Sequence, residues 1–154
     1  MPAWAVEISD KFNGFNGYTL ESPVTNYPAM KLLETWSADY VKEVGVYVNP
    51  GEVLTLNGVT FTRIHYRFAD GRLESIQLRY EGERDQRDKL LQWLEEHYCK
   101  LTPGERRTLA QVEWHGPNLS ITLSYNVFTK KGLVMFVAPL LHLGVHDSAN
   151  AMAD

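Results

Sequence analysis

Three groups of residues in this chain have the types and spacing that chemistry requires. The first is basic: Arg63, His65, Arg67, Gln77 and Arg79. "YRFADGRLESIQLRY" reads as a hairpin turning at Asp70-Gly71, and alternate residues of paired strands share a face. Arg63, His65 and Arg67 then line one strand, with Gln77 and Arg79 beside them on the next. Guanidinium forks suit carboxylate and phosphate, so this set reads as a binding face for a protein, a peptide or an anionic ligand. Arg63 stands across from Arg79, which is unfavourable unless an acidic side chain such as Glu113, or a bound anion, compensates.

The second group is His142 and His146 of "HLGVHD". At i, i+4 on a helix they would share a face and could hold zinc. Gly144 between them, and no Glu after the first His, separate the pair from the metalloprotease motif. His97 and Cys99 lie two apart at a helix end, where their side chains diverge. The third group is "FNGFNGY", residues 12–18. Gly14 and Gly17 have G-x-x-G spacing, but no Gly-Lys-Ser/Thr follows, and about ten residues separate Gly17 from the next predicted helix. The segment reads as two backbone bends, with Phe12, Phe15 and Tyr18 as pegs into the core edge. Only Lys11 interleaves a positive charge with these aromatics, against a single-stranded nucleic-acid platform. No G-x-S-x-G or S-x-x-K context is present, so no catalytic residue is assigned and no cofactor is expected.

Composition narrows the classes further. The 154 residues suit one domain, and their net charge of −4 disfavours a general nucleic-acid or anionic-membrane binder. One cysteine allows no internal disulfide and no multi-cysteine zinc site. No apolar run approaches the ~20 residues of a membrane-spanning helix. "AWA" at Ala3–Ala5 has the small-x-small form of a signal cleavage site. Periplasmic residence is the expectation if it is such a remnant, and cytoplasmic residence if it is not.

The elements that must position these groups follow from periodicity. "WAVEIS" alternates as a short first strand. Residues 28–44 carry Met30, Leu33, Ser37, Tyr40, Val41 and Val44, the stripe of an amphipathic helix. Asn57-Gly58 and Asp70-Gly71 are two-residue hairpin turns. In the second hairpin an uninterrupted ladder would set Tyr66 against Ser75 and split the apolar residues between two faces. One extra residue near Glu74–Ser75 restores Tyr66 to Ile76 and Ile64 to Leu78, so a β-bulge is predicted there. "DQRDKLLQWLEEHY" reads as a helix with Arg87, Leu90, Leu91, Leu94 and Tyr98 on one face. A third hairpin, with a loop over 115–118, is predicted to pair Trp114 with Leu119 and Val112 with Ile121. A turn at "TKKG" and a last strand "LVMFVAP" follow.

The expected fold is α+β in two layers, an antiparallel sheet of about six strands with two helices on one face. "DGRLESIQLRY" and "GPNLSITLSY" suggest an internal duplication, helix plus three strands, twice. Residues 1–140 form the expected domain and 141–154 a partly disordered tail. The central hairpin resembles that of small exported bacterial α+β proteins, of β-lactamase-inhibitor-like folds and of the small lipoprotein of the outer-membrane assembly machinery. That resemblance implies a fold and a non-catalytic, protein-binding role; it carries over no functional residue, and the lipoprotein's N-terminal cysteine is missing. The expected function is therefore a binding or assembly module using the Arg-rich face. The alternative is a small enzyme or ligand-binding protein with a pocket lined by Trp36, Tyr40, Trp93 and Tyr66.

Overall fold

The computed structural model describes residues 5–38, 41–103 and 111–143. Its strands are β1 (Ala5–Glu7), β2 (Gly14–Phe15), β3 (Tyr18–Thr19), β4 (Lys31–Ala38), β5 (Val41–Val48), β6 (Thr55–Leu56) and β7 (Val59–Thr60), then β8 (Arg63–Ala69), β9 (Arg72–Glu81), β10 (Gln111–His115), β11 (Ser120–Asn126) and β12 (Lys131–Val137). Helix α1 (Arg84–His97) follows β9, and a short helical segment runs over 139–143. Eight strands make one sheet in the order β1-β10-β11-β12-β9-β8-β5-β4, and β2–β3 and β6–β7 are separate hairpins. β1 runs parallel to β10, which makes an otherwise antiparallel sheet mixed. The class is α+β as expected, with eight strands rather than six in the main sheet.

The helix expected over 28–44 is the main correction. That segment is the β4–β5 pair, so the expected repeat of helix plus three strands is not built there. The ladder breaks twice. Leu33 is an extra residue on β4 between the pairs Leu32–Tyr47 and Glu34–Val46. Farther along, Trp36–Val44 gives way to Ala38–Val41, which puts the extra residue on β5. Each break interrupts the period-2 alternation, and what remains imitates a helical stripe.

Turn chemistry was legible. Asn57 and Gly58, with φ of 49° and 82°, and Asp70 and Gly71, with 48° and 79°, have the positive φ at both central positions that a type I′ turn needs. Asn16 and Gly17 do the same at 54° and 85°, so "FNGFNGY", expected as two backbone bends, is instead one such hairpin, β2–β3, with Gly14 in its first strand. The predicted bulge is present: Phe68 pairs with Leu73 and Arg67 with Ser75, which leaves Glu74 as the inserted residue. Tyr66–Ile76 and Ile64–Leu78 follow in the expected register. The third hairpin is shifted. Trp114 pairs with Ile121 and Val112 with Leu123, because the ladder continues through His115–Ser120 and closes where Gly116 N–H donates to the Leu119 carbonyl at 2.9 Å. A shift of two keeps every side chain on its intended face.

One sheet face is the core. Tyr66, Phe68, Ile76, Leu78, Tyr80, Trp114, Ile121 and Phe136 are buried there with Leu90, Leu91 and Leu94 of α1. Arg87 is buried on the same helical face, as the periodicity requires. The pegs of the first loop enter this core: Phe15 stacks on Phe136 at 4.3 Å, Phe12 meets Tyr98 edge-on at 5.1 Å, and Tyr18 packs on Tyr66 at 4.6 Å. Among the described residues, no helix is long and apolar enough to cross a membrane.

Candidate functional site

The other sheet face carries the basic set. The β8–β9 register puts Arg63 opposite Arg79, His65 opposite Gln77 and Arg67 opposite Ser75. On the β12 side, Leu133 lies beside Arg79 and Met135 beside Gln77. On the other side, Val46 lies beside Arg67 and Glu34 beside Val46. Basic side chains therefore border an apolar strip. Arg63 is exposed, and His65, Gln77, Arg79, Leu133 and Met135 are half-buried. Burial first, then the Arg63 and Arg79 charges, push the His65 imidazole below its ordinary value, while Glu34 pulls the other way. Glu113, considered as compensator for the arginine pair, is instead engaged at the β10 end, where His115 Nε2 lies 3.1 Å from its carboxylate.

Arg67 belongs to a different structure. It is buried, and its Nε donates to Glu74 Oε1 at 2.5 Å. Glu74, the inserted residue, is fully buried; it also accepts from Ser75 Oγ at 2.8 Å and binds His142 Nδ1 at 2.7 Å. Burial alone would push the Glu74 carboxyl up, but the His142 bond and the Arg67 charge outweigh it and hold the carboxyl below the ordinary range. Arg67 Nη2 is buried without a hydrogen-bond partner. The bulge thus anchors a buried ionic cluster, and Arg67 serves the fold rather than an open face. Sequence reasoning placed the bulge but missed what fills it. The readable signal was a carboxylate inserted into an apolar hairpin, which needs a cation nearby.

His142 is consequently tied to Glu74, and His146 lies outside the described residues. Among the described residues no three His, Cys, Asp or Glu side chains gather as metal ligands. Compared with known protein families, with characterised proteins and with solved structures, the chain matches none. The aromatic set suggested for a pocket is divided. Tyr66 and Trp93 belong to the main core, whereas Trp36 packs in a separate small cluster with Val44 and Ala69. Tyr40 lies outside the described residues. Cys99 is half-buried and its backbone carbonyl accepts from Trp114 Nε1 at 3.0 Å. Glu95 of α1 is buried and accepts the Leu101 N–H at 2.9 Å, which fixes the chain as it leaves α1.

Proposed function

We propose that this protein is a non-catalytic binding module that recognises an acidic, partly apolar segment of a protein partner on the β8–β9–β12 face. The observation that supports it is the direct opposition of Arg63 and Arg79 on paired strands. Two guanidinium groups brought side by side on one face can each make a charge-assisted contact to a partner's carboxylate. His65, its imidazole pushed below its ordinary value by burial and the two Arg charges, adds a ring N–H beside them. Leu133 and Met135 give the apolar side chains of an extended peptide a place beside the charges.

The test is titration of a fluorescent peptide alternating glutamate with leucine, beside an oligoglutamate and an oligolysine control. The expected result is salt-sensitive binding of the alternating peptide, weaker binding of oligoglutamate and none of oligolysine. Arg63→Ala with Arg79→Gln is expected to weaken it at least ~10-fold, equivalent to about 1.4 kcal/mol, with the thermal midpoint of the variant checked in parallel. Equal binding by the folded double variant, or no binding by the wild type, overturns the reading.

A further inference from the structure

Among the described residues the main sheet ends on β4, which pairs there only with β5. The opposite edge, β1, is 3 residues long, but β4 is 8. Side chains from Lys31 to Thr35 are all exposed, Leu32 at 45 % and Leu33 at 50 %. Such an edge offers a row of backbone N–H and C=O groups to another extended strand.

The bulge at Leu33 determines which strand fits. Lys31 pairs with Val48 and Glu34 with Val46, two β5 residues that share a face. In a regular strand, residues three apart point to opposite faces. The extra residue brings Lys31 and Glu34 onto the same one. Among the described residues neither of them makes an ion pair. A two-fold axis perpendicular to the sheet keeps each face on its own side. With that axis between Leu32 and Leu33, an antiparallel copy of β4 sets Lys31 of each chain opposite Glu34 of the other, and Leu32 opposite Leu33. Without the bulge, the same register would put the charges on opposite faces. The strand is therefore complementary to itself in charge at one register, with the exposed Leu32 and Leu33 level with one another, as an isologous interface allows.

We propose that β4 is a dimerisation edge, on which a second copy of this chain adds antiparallel with Lys31 opposite Glu34 and Leu32 opposite Leu33. Two sheets then become one across the axis, and the basic face continues on the same side of both copies.

Sedimentation equilibrium on the full chain, from ~1 to ~300 μM, tests this, since a short edge interface gives a weak, reversible equilibrium. The wild type is expected to dimerise within that range. Lys31→Glu and Glu34→Lys each set like charges opposite one another twice per interface, and each is expected to weaken the dimer ~10-fold or more. The double reversal K31E/E34K restores opposite charges and is expected to return to within about threefold of wild type. All three changes are on exposed side chains, and circular dichroism verifies that each variant folds. A monomer at every concentration overturns the proposal. So does a dimer indifferent to the single changes, or one that the double reversal fails to rescue.

Discussion

Glu74 shows what one inserted residue can do. Alternation in the sequence required an extra residue at this point, but nothing there tied position 74 to position 142, which follows a different strand. The link is tertiary: Ala138 N–H donates to the Glu74 carbonyl at 2.8 Å, and His142 then reaches its carboxylate. Glu74→Gln leaves Arg67 and His142 without their buried counter-charge. The expected loss is about 3–5 kcal/mol, read by urea unfolding. Arg67→Met with Glu74→Leu removes both ions and is expected to be much milder than either single change. The pH dependence has a definite sign. A carboxyl held below its ordinary value contributes stability above the ordinary carboxylate range and loses it as pH falls through the folded value. Urea midpoints measured downward from pH 6 are expected to fall more steeply in wild type than in the Glu74→Gln variant; parallel slopes would show that another group carries the acid sensitivity.

Individual elements were legible where turn chemistry or unbroken alternation announced them. The Asn-Gly and Asp-Gly turns, α1 and the β8–β9 register all followed from local rules. The β4–β5 segment did not, because two ladder irregularities erased the alternation, and the residues left over suited a helix. Gly132 is a second case of hidden pairing. It lies opposite Tyr80 in the β12–β9 ladder, and a Cβ added to it would overlap the Tyr80 ring. The ring fills the space a side chain would occupy and sends its hydroxyl to the Ser124 carbonyl at 2.7 Å. Gly132→Ala is expected to cost about 1–3 kcal/mol, since the ring is fully buried and cannot swing away without losing that bond. Thermal unfolding measures this, and Tyr80→Leu should destabilise less in the Gly132→Ala background than in wild type. Additive losses would mean that the two positions do not share the space.

At the scale of the molecule, the class α+β was readable, but the width of the sheet was not. Strand number rests on long-range pairing: the β1–β10 contact joins positions more than a hundred residues apart, and no local pattern records it. The resulting order gives the sheet a gradient. β12 and β9 form the central pair, with four strands on each side of their junction, while β4, among the described residues, is held on one side only. Amides whose opening needs global unfolding should therefore lie at Ile76, Leu78, Val134 and Phe136, all essentially inaccessible. Protection should decline outward through β8 and β5. The outward-facing amides of Lys31 to Thr35 depend on the state of the edge. In dilute solution they have only water to bond and should exchange fast. If a second chain adds there, their protection must rise with protein concentration while that of Ile76 and Leu78 stays tied to the unfolding free energy. Hydrogen exchange at two concentrations, on wild type and on Lys31→Glu, separates these cases. Protection of β4 that grows with concentration only in wild type fits an edge completed by a partner copy. Protection that is high and constant in both proteins means the edge is already closed within one chain.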